Sequence, residues 1–176
     1  MTVIAWIVEA GWRACVDAAG WHARSDADIV LLHVTDPDVA DLAHGAYAGL
    51  LGRGHPHRDP GSRVQDLASA AARQLLDQAA GRLGRRCRTV ERTGRVETEV
   101  IAASEGAELL VVARDGDTSH RGPKSLSHAS RYVIDHAPCP VLLVWPDSPP
   151  ATVDRPAHHG PPHHPPHDKP PPPPPH

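Results

Sequence analysis

The sequence predicts a doubly wound α/β domain, a five-stranded parallel sheet with helices on both faces. Three observations predict it. Short runs at residues 3–8, 29–34, 109–113 and 141–145 are apolar at nearly every position, as strands buried on both faces must be. Segments between them repeat their apolar residues with a helical period. Strand and helix then alternate along the chain, so neighbouring strands are joined by right-handed crossovers and run parallel.

The first strand, residues 3–8, ends at Glu9, and a helix over 11–19 places Trp12, Cys15, Val16 and Ala19 on one face. The second strand closes on His33-Val34-Thr35. Residues 35–60 are long for a connection and predict a lid or an extra helix. Asp36-Pro37 reads as a cap and first-turn pair, and Val39, Leu42, Ala43, Ala46 and Leu50 predict a short helix from 37 to about 51. His55 and His57 follow in a loop, two imidazoles where a metal site needs more ligands.

Ser62 is the expected cap of a long helix with a buried stripe of Val64, Leu67, Ala71, Leu75, Ala79 and Leu83, ended by Gly84. Residues 86–93 alternate like an edge strand, and Val96, Val100, Ile101 and Ala103 mark a helix reaching Gly106. After the fourth strand comes a polar loop, residues 114–121. Gly122-Pro123 suits a helix start, Leu126, Ala129, Val133 and Ala137 share a face, and Pro138 and Pro140 stop the helix before the last strand.

Length bounds the chain of 176 residues to one domain, residues 1–146, with a disordered Pro/His-rich tail over 147–176. From Pro146 onward lie 14 of the 20 prolines and 6 of the 14 histidines. A net charge of -3 without a basic patch argues against nucleic acid and an anionic membrane as partners. No apolar run reaches membrane-spanning length, and the N-terminus, with Glu9 and no cationic region, reads as a strand rather than a signal peptide. Three unpatterned cysteines fit reduced thiols, so a cytoplasmic location is expected. His158, His159, His163, His164, His167 and His176 offer loose metal handling, although a solubilising tail is preferred because an extended chain builds no fixed coordination geometry. Prolines 170–175 favour polyproline II, a form that docks on aromatic grooves.

The segment HAPCPVLLVW, residues 136–145, preceded by SRYVIDHA, resembles the close of the universal stress protein family, in an actinobacterial-type member with a degenerate ATP-binding loop. The resemblance implies strand order 3-2-1-4-5, with a ligand cleft where the order reverses, at the carboxyl ends of strands 1 and 4. In the family a Gly-x2-Gly-x9-Gly-Ser/Thr loop after the fourth strand holds the phosphates of ATP. Here Ala113 stands at the first Gly and Gly116 at the second; read one residue long, Ser127-His128 stands at Gly-Ser. Glu9 is the counterpart of an Asp that meets adenine and ribose, and Val34 edges the adenine pocket. Val112, Ala113, Arg114, Gly116, Lys124, Ser127 and His128 complete the implied nucleotide set, with Arg121 a further cation nearby. The departures predict weak ATP binding. A homodimer through Val141, Leu142, Leu143, Val144 and Trp145 is expected from the exposed edge these residues would leave.

The resulting expectation is a nucleotide-responsive, stress-related protein without a catalytic group, slow ATP hydrolysis being compatible with it. An ATP-independent dimeric scaffold and metal handling by the tail are the alternatives. Other chemistries fit less well. Gly116, Gly122, Lys124 and Ser125 approximate a P-loop, but five residues separate the glycines and Pro123 removes a donor. A phosphoacceptor site needs an acidic pair, and Glu9 stands alone while strand 3 ends in Thr93-Gly94. Ser127 with His128 or His120 lacks a nucleophile elbow, since adjacent helical residues point about 100° apart, and both residues are expected on the helix surface.

Overall fold

The structure, a computed structural model, describes residues 1–37 and 60–147. The body of the helix expected over 37–51, His55, His57 and the histidines and prolines of the tail lie outside the described residues.

In chain order the elements are β1 (Thr2–Trp6), α1 (Trp12–His22), β2 (Asp28–Thr35), α2 (Pro60–Leu83), β3 (Arg88–Thr93), α3 (Val96–Ala103), β4 (Leu109–Ala113), α4 (His128–His136) and β5 (Val141–Val144). They form a parallel sheet in the order β3-β2-β1-β4-β5, as expected. β1 lies at the centre, with Ile4 opposite Val30 on one side and Leu110 on the other.

Alternation along each strand divides the core in two. Val3, Ala5, Ile29, Leu31, Val111 and Ala113 face α1 and α2, meeting Trp12, Cys15, Val16, Ala19, Leu76 and Ala79. Ile4, Trp6, Val30, Leu32, Leu110 and Val112 face α3 and α4, meeting Val100 and Val133. The predicted buried face of α1 is the one observed.

Several boundaries move for local reasons. β1 stops at Trp6 because the Val8 carbonyl accepts from the Gly11 and Trp12 amides and starts the turn into α1. β3 begins at Arg88 rather than 86, after a turn held by Arg85, which donates to the Arg24 and Ser25 carbonyls. α3 ends at Ala103 rather than Gly106, where the Ser104 hydroxyl bonds back to the Val100 carbonyl and competes with the helix.

α2 corrects two expectations. It starts at Pro60, so Ser62 lies inside the first turn instead of capping it. Its buried stripe is Ala72, Leu76 and Ala79, with Leu67 71% exposed and Ala71 exposed too. The sequence doubles its apolar residues at 71–72, 75–76 and 79–80, which supports two stripes equally well. Packing on α1 selects one of them, where Leu83 meets Gly20 and Arg82 holds Asp17 through two bonds of 2.8 and 2.6 Å.

The two sheet edges differ chemically. β3 carries Arg88, Glu91 and Arg92, with Arg88 paired to Asp28 at 3.1 Å and Arg92 to Glu99 at 3.2 Å. β5 presents Val141, Leu142, Leu143 and Val144, all only half-buried. Charge blunts the first edge against pairing, and nothing charged on β5 itself does so at the second. Among the described residues, no helix is long and apolar enough to cross a membrane.

Candidate functional site

The strand order reverses beside β1, and the turns leaving β1 and β4 meet at the carboxyl edge of the sheet. On the β1 side, the Ile7 amide donates to the Leu32 carbonyl at 2.8 Å and His33 Nδ1 lies 2.8 Å from the Ile7 carbonyl. A carbonyl only accepts, so Nδ1 carries the proton, and the ring ties the end of β2 to the end of β1. Glu9 is exposed on the following turn. Gly11 lies against β4: a Cβ built there would overlap the Ala113 Cβ.

On the β4 side, the loop is folded onto itself. Arg114 donates its amide to the Val144 carbonyl at 2.9 Å, Gly116 to Ser125 at 3.1 Å and Asp117 to Lys124 at 2.9 Å. Gly116 has no alternative, because a Cβ there would strike the Lys124 carbonyl and approach the Leu126 nitrogen to 2.9 Å. The Arg114 guanidinium donates to Ser125 Oγ and lies 4.6 Å over the Trp145 ring. Buried Ser125 Oγ donates onward to the Gly122 carbonyl at 2.6 Å.

A single 3-10 turn, Pro123–Ser125, follows, and α4 starts only at His128. The start expected at Gly122-Pro123 is therefore corrected: Leu126 is extended and Ser127 is the cap, its Oγ accepting from the Ser130 amide at 3.1 Å. Asp115 completes this end, its carboxylate accepting from the Ser127 amide at 2.8 Å and from Ser127 Oγ at 2.7 Å. Ser127, the first residue of the pair set against the pattern's Gly-Ser, is thus the cap of α4.

The structure brings Arg114, Gly116 and Ser127 together in the loop. Lys124 is exposed at its tip and His128 in the first turn of α4. Val34 and Val112 point their side chains into the core against α3 and α4, and Ala113 packs toward Gly11 and α1, so these three offer only backbone to a cleft. The Ala113 methyl accordingly lies away from the loop instead of narrowing it. Sequence reasoning missed Asp115 and Ser130, and named Ser125 and Trp145 only for other roles, a P-loop comparison and the dimer edge. Two signals were there, the Asp115-Gly116 turn pair and the cap-like Ser-x-x-Ser spacing of 127–130.

Bonds from the Ser119 hydroxyl and amide, with help from His120 and Lys124, hold the Asp117 carboxyl below its ordinary range. Burial pushes the Cys15 thiol up to about 12, and desolvation raises Cys87 and Cys139, so none is poised as a thiolate. The Ser127 hydroxyl donates to Asp115 rather than to a histidine. Among the described residues no cluster of three His, Cys, Asp or Glu is placed to hold a metal. A cavity of about 510 Å³ opens at the opposite, amino edge of the sheet, where Arg85 is committed to carbonyls and Arg88 to Asp28.

A model of the family described as "Universal stress protein family" matches residues 9–144. The fold is similar to that of the hypothetical protein MJ0577, at 14% identity and TM-score 0.57, covering 82% of this chain and 94% of that one. It is also similar to a universal stress protein in complex with cAMP, at 17% identity and TM-score 0.56, covering 84% and 98%. The universal stress protein UspA from Lactobacillus plantarum gives 21% identity and TM-score 0.54 over 82% and 97%. Among curated proteins there is no significant match.

Proposed function

Because the chain belongs to the universal stress protein family, we propose that it is a non-catalytic, nucleotide-responsive stress protein that holds adenine nucleotides such as ATP weakly at the carboxyl ends of β1 and β4. A solved structure of similar fold is a complex with cAMP, which supports the ligand class. The observation that carries the low affinity is the use of the loop's own donors. The amides of Gly116, Asp117, Ser119, Ser125, Leu126, Ser127 and Ser130 all bond within the protein.

The residues therefore fit a triphosphate only in part. Lys124 and Arg121 supply exposed positive charge, and Glu9 on the opposite lip is an acceptor suited to ribose hydroxyls. Each missing amide contact is worth about 1 kcal/mol, so three move a micromolar affinity toward millimolar. The degenerate-loop reading draws its support from these bonds; the actinobacterial-type reading stands on the sequence resemblance alone, as does metal handling by the tail.

The bare aliphatic edge at β5, beside the charged edge at β3, supports a homodimer closed through Val141, Leu142, Leu143, Val144 and Trp145. The same edge favours the second reading, a dimeric scaffold that acts without ATP. A cytoplasmic location goes with either, the cysteines being free thiols.

Native mass spectrometry of the full chain separates the readings. The expected spectrum is a dimer stripped of nucleotide by buffer exchange, gaining ATP adducts only when ATP is added back at millimolar concentration. A stoichiometric nucleotide that survives exchange would contradict weak binding. Metal adducts that vanish when residues 147–176 are removed would point to the tail instead.

A further inference from the structure

We propose that Asp115 is a built-in surrogate for a bound phosphate, occupying the anion position at the N-terminus of α4 and excluding multiply charged phosphate chains from the loop. The inference rests on the nucleotide reading and deepens it by naming the residue that keeps the affinity for ATP low. Asp115 Oδ1 takes the Ser127 amide at 2.8 Å and Oδ2 takes the Ser127 hydroxyl at 2.7 Å. A phosphate docked at a helix start uses the same kind of backbone amide and cap hydroxyl.

A second observation lies in the same turn. Ser130 is 0% exposed, its amide is bonded to Ser127 Oγ, and its own Oγ has no partner among the described residues. Ser130 shares the buried face of α4 with Val133, and its unpartnered hydroxyl marks this turn as incompletely satisfied. The Ser127 amide and hydroxyl form the donor pair an anion would take, and the protein's own carboxylate sits on them.

Entry of a phosphate chain requires Asp115 to give up both bonds and then leaves two like charges side by side. Arg114, the cation next in sequence, is committed to Ser125 and to the Trp145 ring. A neutral nucleoside displaces nothing from Ser127 and meets no such repulsion.

The test uses the full chain and inorganic tripolyphosphate, with the amide resonances of Ser127 and His128 as readout. Asp115→Ser and Asp115→Asn should each shift these resonances at a concentration at least tenfold lower than wild type requires. The asparagine variant preserves side-chain volume and an acceptor for the Ser127 amide, so it guards against simple loss of fold. Asp117→Ser removes the same charge from the same loop and should stay within about threefold of wild type. Equal responses of wild type and both Asp115 variants, or an equal gain from Asp117→Ser, would overturn the proposal. In parallel titrations, Asp115→Asn should gain at least tenfold for ATP and at most threefold for adenosine, and equal gains for the two ligands would overturn it. If neither ligand binds any of the proteins, the nucleotide reading fails while the tripolyphosphate response still decides the role of Asp115.

Discussion

Leu143→Lys should convert the protein from dimer to monomer, with its fold preserved. Leu143 is half-buried in the middle of β5, on the side of the sheet that packs against α4. Its strand forms the outer edge of a parallel sheet whose other edge is charged. A lysine tolerated beside water in the monomer becomes an unpaired ammonium when a second copy covers the edge. Burying such a charge costs about 3 kcal/mol or more, a loss of over 100-fold in dimer affinity. Sedimentation velocity across a range of micromolar concentrations reads this directly. Val90→Lys on the opposite edge serves as control and should leave the mass unchanged. Wild type sedimenting as a monomer throughout would remove the dimer.

Gly11→Ala should destabilise the fold by about 1–3 kcal/mol, because its methyl would overlap that of Ala113 in a closed part of the core. Ala113→Gly alone should cost about 1–2 kcal/mol through lost burial and added strand freedom. The exchange of the two should be milder than their sum, since each change makes room for the other. A coupling of at least about 1 kcal/mol is expected from urea titration of the two single variants and the double variant. Additivity within about 0.5 kcal/mol would mean that the backbones move apart instead. The pair also explains how a methyl group is accommodated at Ala113, where the related loop pattern has glycine: the space comes from Gly11 on the neighbouring turn.

Both pairings show where sequence reasoning reached its limit. Buried strands were legible because continuous apolar runs leave little choice: β4 falls on Leu109–Ala113 as expected, and the buried face of α1 is the one its spacing gives. Strand order came from the family resemblance, since periodicity says nothing about which strands pair. The α2 stripe was ambiguous because its doubled apolar residues allow two rotations of the helix. In the site, Gly116 and the cations were legible as residue types. The roles of Asp115 and Gly11 were not, because their partners, Ser127 and Ala113, are distant in sequence and meet only in the folded chain. An acid in a polar loop otherwise reads as a solvated side chain.

The carboxyl-edge loop is expected to hold a nucleotide weakly because many of its donors already serve the protein itself. Calorimetric titration of ATP into the full chain, at low and at moderate salt, measures this affinity. Affinity should lie between high micromolar and millimolar and weaken as salt rises, because exposed charges such as Lys124 carry much of the binding. Low-micromolar affinity indifferent to salt would contradict the claim, since it requires the loop to release the amides of Gly116 and Ser127 to the ligand.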